Sequence, residues 1–360
     1  MGLFGSKKKL LVGLDIGSSS VKVCVLQATG SGSNQRYRLQ KLGHAPIPHD
    51  AIVDGDIMDT NAVAAAIRQV LAEQKIKAKE VAISVAGQQV MVKKVQFPHM
   101  TRGELAESVR WEAESFFPAG QGLDSYALDY AILEERPSEG TMDVVLVACR
   151  KDKLESYVGC VTQAGAKVEI VDVDVFALQN AHEANAIGGT SDEVVALVNL
   201  GANFTNLSML VGNRSVFWRD ITWGGSRFTD KVMEDWGVSR EGAELLKQGV
   251  AADGRAPEEV EPSLSAIADS FADELGRTID FFRSSFKVDR LDRVLLAGGS
   301  AKVPRLAEIL SDRLRVSVDF LNPFQKIEID ERSADATVVR NMGCAASVAI
   351  GLAMRQVGDR

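Results

Sequence analysis

Apolar and β-branched residues run from Leu10 to Gln27 on both sides of a Gly-Ser turn, a pattern that predicts strand, tight turn, strand. The Gly/Ser/Asn patch from Ser31 to Asn34 then predicts a hairpin tip. From Ala62 to Glu73 the apolar positions fall at helical spacing, with Asp59 to Asn61 as cap candidates. The same grammar returns in VVALVNLGANFTNLSMLVGNRSVFWRD, where Val194 to Leu200 leads into a glycine turn, a second strand, a Gly212-Asn213 turn and a third strand. Aligned on the turns, Leu14-Asp15-Ile16-Gly17 lies over Val198-Asn199-Leu200-Gly201. A duplication of this kind predicts two similar α/β lobes facing each other across a cleft.

Between the copies, Val81 to Asp174 reads as an inserted α/β unit: strands VAISVA and MVKKVQF, a helix from Arg102 that Pro118 stops, then strands YALDYAIL and VVLVACR. A helix over Lys153–Gln163 and a strand over Lys167–Val171 lead back to the first lobe. After the second copy, Ser226 to Trp236, Ser239 to Gln248 and Leu264 to Phe286 read as helices, with Glu258 to Pro262 as a linker. The strand Arg293–Leu296, the turn Ala297–Ser300 and a helix over Val303–Leu314 restore the second lobe. A final helix over Asn341–Met354 has small residues spaced for close packing. The resulting division is 10–84, 165–190 and 340–360 for the first lobe, 85–164 for the insertion, 191–236 and 290–339 for the second lobe, and 237–289 for a helical subdomain on it.

Composition narrows the partners. With 360 residues, the chain exceeds what one core usually organises. Its formal charge of −8 argues against a nucleic-acid surface, which needs a positive field, and leaves a basic partner or a neutral peptide as the better fit. Cys24, Cys149, Cys160 and Cys344 sit among apolar residues without metal-ligand spacing, so they read as buried hydrophobes of a reducing compartment, the cytoplasm by default. No apolar run approaches a bilayer span, and MGLFGSKKK lacks the apolar stretch of a signal peptide. That start does match the myristoylation pattern, and Leu3 and Phe4 before Lys7, Lys8 and Lys9 are suited to an anionic membrane surface; a frayed, soluble terminus is the other reading. His44, His49, His99 and His182 follow no metal or acid/base spacing. Trp111, Trp218, Trp223 and Trp236 read as core or interface anchors.

An Asp followed by Gly and hydroxyl residues at a strand-strand turn suits a nucleotide phosphate, because glycine lets backbone N–H groups approach the oxygens while the carboxylate holds Mg²⁺ through its water shell. The paired turns, together with LLAGGSAKVPRL, resemble the phosphate 1, phosphate 2 and adenosine motifs of the actin, Hsp70 and sugar-kinase superfamily over essentially the whole chain. The segments WEAESFFP, LDY, ACRKDKLE, VDVDVFALQNA and GVSREGAELLKQG are similar to the PilM family of type IV pilus assembly proteins. The resemblance implies an α/β, actin-like fold of the duplicated ribonuclease H type, with a small inserted domain like that of the cell-division protein FtsA.

Carried over, the resemblance makes Asp15 the metal-shell carboxylate, Gly17, Ser18, Ser19 and Ser20 the first phosphate turn with Lys22 beside it, and Gly201, Ala202 and Asn203 the second. Gly224 and Gly225 would place N–H groups and a helix start near the nucleotide. Glu244 and Lys247 would contact ribose and adenine, or form a plain exposed pair. Gly298, Gly299 and Ser300 would flank the adenosine, or form a simple helix-start turn. Asn199 stands where the superfamily usually has Asp, so it joins the metal shell without a charge, and ATP or ADP is expected to bind with slow or absent hydrolysis. Asp172 and Asp174 are weak candidates for polarising the attacking water; Asp174 could equally cap a helix.

The resemblance further implies an adaptor at the cytoplasmic face of the inner membrane. It would be peripheral through its partners: the N-terminal peptide of PilN, in a groove between the first lobe and the insertion, and other inner-membrane pilus assembly proteins. A homo-oligomer is compatible with this. Phe97, Pro98, Phe116, Phe117 and Pro118 are apolar candidates for the groove, with core packing as the alternative. A sugar- or acetate-kinase-like phosphotransferase and an FtsA-like filament protein are the competing functions.

Overall fold

The computed structural model describes residues 11–30, 35–116, 122–185, 192–212, 214–329 and 336–359. The N-terminal lysines and the myristoylation pattern, the hairpin tip at 31–34, and Asn213, Phe117 and Pro118 lie outside the described residues.

The first lobe begins with β1 (Val12–Ile16), β2 (Ser20–Thr29) and β3 (Arg36–Pro46), followed by a small hairpin of β4 (Ile52–Val53) and β5 (Asp56–Ile57), helix α1 (Thr60–Glu73) and β6 (Glu80–Val85). The chain then builds β7 (Val90–Pro98), α2 (Arg102–Glu114), β8 (Tyr126–Arg136) and β9 (Thr141–Arg150), and returns through α3 (Lys151–Gln163), β10 (Lys167–Val173) and α4 (Asp174–Asn185). The second lobe comprises β11 (Val194–Leu200), β12 (Thr205–Val211), β13 (Arg214–Ile221), α5 (Ser226–Trp236), α6 (Arg240–Lys247), α7 (Pro257–Phe286), β14 (Arg293–Ala297), α8 (Leu306–Leu314) and β15 (Ser317–Phe320). Finally β16 (Ile327–Ile329), α9 (Ala336–Met342) and α10 (Ser347–Leu352) go back to the first lobe.

The duplication is visible in the sheets. One runs β10-β6-β1-β2-β3-β16 and the other β13-β12-β11-β14-β15. In each, a meander of three antiparallel strands is extended beside its first strand by two parallel ones, so β1, β2, β3, β6 and β10 correspond to β11, β12, β13, β14 and β15. Every residue of β1 and β11 is buried, as expected of central strands covered on both faces. Helix α4 touches both sheets, since Ala177 packs with Ala82 while Leu178 packs with Val195, Leu197 and Leu295. Motion of one lobe against the other therefore has to work on this shared helix.

Four elements differ from the sequence expectation. Helix α3, placed in the insertion by the sequence reading, puts Tyr157, Cys160 and Val161 into the first lobe's core with Val63 and Ile67 of α1. The separate unit is β7, β8, β9 and α2, an antiparallel sheet ordered β7-β9-β8 around Phe97, Leu105, Val109, Met142 and Leu146. Strand β16 pairs with β3, so this stretch of 290–339 belongs to the first sheet. The expected linker Glu258–Pro262 is the start of one long helix: Pro257 opens α7, Glu259 accepts from Ala256 N at 2.8 Å, and Pro262 forgoes only its own bond near the helix start. The final helix is broken at Cys344, whose carbonyl accepts from Gly298 N at 2.9 Å and Ser347 Oγ at 2.9 Å.

The four cysteines are buried and unpaired with one another. Trp223 stacks on Phe271 in the second core, whereas Trp111 is 78% exposed on α2 and anchors no core. Asp59 caps α1 by accepting from Ala62 N at 3.0 Å. Asp59→Ala is expected to cost about 1 kcal/mol, read as a lower urea midpoint with an unchanged slope.

Candidate functional site

The two glycine turns face one cleft of about 640 Å³ between the lobes. The first is closed by Gly17 N donating to Ser20 O at 3.2 Å, the second by Gly201 N donating to Phe204 O at 2.9 Å. Behind each turn the strand register puts a matching pair side by side, Asp15 against Lys22 and Asn199 against Asn206. In the first lobe Lys22 Nζ donates to Asp15 Oδ2 at 3.0 Å; in the second, Asn199 Nδ2 donates to Asn206 Oδ1 at 2.7 Å. The duplication thus extends to hydrogen bonding, with an ion pair in one copy and an amide pair in the other.

Of the expected ligand contacts, Asp15, Gly17, Ser18, Ser19, Ser20, Lys22, Asn199, Gly201, Ala202, Asn203, Glu244, Lys247, Gly298, Gly299 and Ser300 all line the cleft. Glu244 and Lys247 are not a plain exposed pair: Lys247 is buried, 2.7 Å from Glu244, and donates to Thr229 Oγ1 at 3.0 Å. Gly298 sits at φ +98°, and a Cβ there would run into the Leu200 backbone.

Gly224 and Gly225 stand behind the wall rather than in it. Gly225 N donates to Gly201 O and Ser226 N to Ala202 O, both at 2.8 Å, so the first amides of α5 are spent on carbonyls of the phosphate turn. A Cβ on Gly224 would collide with Ala202, and one on Gly225 with Ser300. These glycines shape the turn from behind and are not among the residues that line the cleft, whereas Ser226 beside them is.

Asp172 also lies outside the cleft. It is buried against Arg355, with Oδ2 3.3 Å from Nη1, which removes it as a water-polarising candidate. Asp174, the first residue of α4, does line the cleft and accepts Ser84 Oγ at 2.6 Å. Burial, and then the charge of Asp15, push its carboxyl up to about 7. Two carboxylates and the amide of Asn199 offer the oxygen donors that Mg²⁺ prefers. Among the described residues no three acidic, histidine or cysteine side chains cluster closely enough to hold a metal by themselves. The donor set therefore suits an ion held through water and phosphate rather than a protein cage.

Several wall residues carried no sequence signal. Ser84, Tyr157 and His44 reach the cleft through sheet and helix adjacency, and His49 and Arg240 from turns and helix starts. Asn206 Nδ2 donates to Asp220 Oδ1 at 2.8 Å, and Asp220 Oδ2 accepts Gly87 N at 2.6 Å across the lobes. A second groove of about 420 Å³ lies beyond this point. It is lined by β7 (Val90, Met91, Val92, Lys93), Ser115 and Phe116, Val173 and Val175, and by Trp218, Arg219 and Asp220 of β13, so the second lobe forms one wall, which the expectation of a groove between the first lobe and the insertion did not include. Phe97, a candidate for such a groove, is in the insertion's core instead, and Pro98 is exposed elsewhere.

A family model described as type IV pilus assembly protein PilM matches residues 13–357. The chain belongs to the PilM family. A solved chain described as the PilM-PilN type IV pilus biogenesis complex superposes with a TM-score of 0.85 at 26% identity, covering 98% of this chain and 100% of that one. More distant structures share the fold alone. The ethanolamine utilization protein EutJ from Carboxydothermus hydrogenoformans gives 0.56 at 14% identity over 96% of this chain and 89% of its own. MreB5 of Spiroplasma citri bound to ADP gives 0.50 at 12% identity over 94% of each. This PilM-family chain has the actin-like ATPase fold, and no helix among its described residues is long and apolar enough to cross a membrane.

Proposed function

We propose that this chain is a nucleotide-holding adaptor of type IV pilus assembly. It carries ATP or ADP with Mg²⁺ in the cleft, and it seats the N-terminal cytoplasmic peptide of PilN in the second groove. That peptide ties it to the cytoplasmic face of the inner membrane and to the other pilus proteins gathered there. The carrying observation is the pair of glycine turns, each closed by the same backbone bond and backed by a paired position, facing one cleft. Glu244, Lys247 and Gly298 to Ser300 supply the ribose and base side. Asn199 brings no charge to the metal, so hydrolysis is slow and the nucleotide serves to hold the lobes together.

The groove suits a peptide. Its walls come from β7, β10, α4 and β13, and most of the side chains in them, Val90, Met91, Val92, Phe116, Val173, Val175 and Trp218, are apolar, which suits the apolar side chains of an extended peptide. The solved PilM-PilN complex, whose chain matches this one from end to end, supports the choice of peptide.

The test is to purify the protein, denature it and identify what is released, then titrate a labelled synthetic PilN N-terminal peptide into the native protein. Stoichiometric adenine nucleotide and saturable peptide binding are expected. Protein that neither releases nor takes up ATP, or that leaves the peptide unbound, refutes the corresponding half.

A further inference from the structure

The cleft and the second groove share a wall, and the side chains in it form a directional chain. It starts at Asp220 on β13. An ionised carboxylate can only accept hydrogen bonds. Asp220 accepts the Gly87 backbone N–H through Oδ2 and the Asn206 amide nitrogen through Oδ1. The Asn206 amide is thereby oriented, its oxygen faces Asn199, and it accepts the Asn199 amide nitrogen. Asn199 is left with its own oxygen to offer the cleft.

The far end of the chain is a corner of the backbone. Gly87, at φ +97°, joins β6 of the first lobe to β7 of the inserted unit, and Val90 N donates to its carbonyl at 2.9 Å. Phe204, which closes the second phosphate turn, also bears on this corner: a Cβ on Gly87 or Gly55 would lie 3.4 or 3.3 Å from its ring. Gln88 Nε2 donates to Thr222 Oγ1 at 3.1 Å beside it. The residues that follow, Val90 to Lys93, line the groove together with Asp220 itself.

We propose that the chain Asn199–Asn206–Asp220–Gly87 couples the two sites, so that a ligand on the Asn199 oxygen and a peptide in the groove each stabilise the same closed Gly87 corner. The proposal rests on the nucleotide-and-peptide reading above. It also accounts for the amide at position 199. A carboxylate there would meet the Asn206 oxygen acceptor to acceptor, and Asn206 could not turn round without setting that oxygen against Asp220.

The experiment measures peptide affinity by fluorescence anisotropy in nucleotide-stripped protein and in saturating ATP with Mg²⁺. The proteins are the wild type, Asn199→Asp and the double variant Asn199→Asp/Asp220→Asn. Wild-type peptide affinity is expected to rise about 5- to 100-fold with nucleotide, and ATP affinity by the same factor with peptide, because the coupling is reciprocal. Asn199→Asp should bring that ratio to within about twofold of one. The double variant rebuilds the chain in reverse, because the Asp220→Asn amide accepts from Gly87 through its oxygen and donates to Asn206 through its nitrogen, and it should regain most of the ratio.

Melting curves run in parallel. If Asn199→Asp is too unstable to titrate, recovery of a cooperative melt in the double variant tests the same chain. An undiminished ratio in Asn199→Asp, or a double variant no better than the single one, overturns the proposal. A wild type that binds both ligands without coupling also overturns it and leaves the adaptor reading standing. A wild type that binds neither ligand refutes that reading and this proposal together.

Discussion

Asp15→Ala is expected to weaken ATP binding by about 10- to 100-fold, the equivalent of losing one charge-assisted contact of about 1.5–3 kcal/mol. Asp15 stands at the mouth of the first glycine turn, paired with Lys22 and facing the space that the second turn encloses from the other lobe. Its charge is what the neutral Asn199 lacks, so under the proposed function the metal's water shell takes its anionic anchor from the first lobe. Removing it also strips Lys22, itself largely buried, of its partner, and this lowers stability as well. Asp15→Asn separates the two effects, since the amide oxygen still accepts from Lys22 while the charge is gone. Both variants should lose nucleotide, and the alanine should lose more melting temperature than the asparagine, which keeps a hydrogen bond to Lys22. Nucleotide affinity measured with and without EDTA gives the decisive contrast. Chelation should weaken the wild type by a comparable factor and leave Asp15→Ala almost unmoved. An alanine variant that keeps wild-type affinity and the full response to EDTA would remove Asp15 from the metal shell.

The repeat was legible because turn chemistry is local. A glycine followed by small polar residues between two β-branched runs forces a tight turn whatever surrounds it, and the alignment of Asp15 on Asn199 is the one that the strand registers display. The wall between the two cavities was not legible. Ser84 and Gly87 lie far along the chain from Asn206 and Asp220, and only sheet order and lobe closure bring the two pairs together. The Gly224-Gly225 pair misled for a related reason. A glycine pair at a helix start reads as an anion site, but here carbonyls of a neighbouring turn take the amides of Gly225 and Ser226. Pro262 misled in the opposite direction, because a proline near the start of a helix costs little when the remaining turns pack a core, and α7 buries Val260, Leu264, Phe271 and Leu275. The small residues from Asn341 to Met354 did announce close packing. They could not show that the carbonyl of Cys344 would be drawn off to Gly298 and the helix broken there.

Gly351→Ala is expected to destabilise the protein by about 1–3 kcal/mol, the usual cost of forcing one methyl into a filled interior. Gly351 lies on α10 where that helix crosses α4, and an added Cβ would collide with the carbonyl oxygen of Ala177 and sit 2.6 Å from its carbon. Backbone cannot swing aside as a side chain can, so one helix has to move. On its other side α10 rests against β1 just as tightly, since a Cβ on Gly13 would sit 2.5 Å from Ala353 N and closer still to Ala349 O. Gly13 lies two residues before Asp15, and α4 begins with Asp174, so a displaced α10 disturbs both carboxylates of the cleft from behind. The variant should therefore show a lower urea midpoint together with a weaker nucleotide, although it touches no ligand. Saturating ATP should restore part of the lost midpoint, because a ligand that binds the folded state alone stabilises it by mass action. A wild-type midpoint in Gly351→Ala would mean that α10 and α4 stand far enough apart to admit a methyl group. A lowered midpoint with unchanged ATP affinity would mean that the cleft is insulated from the helix beneath it.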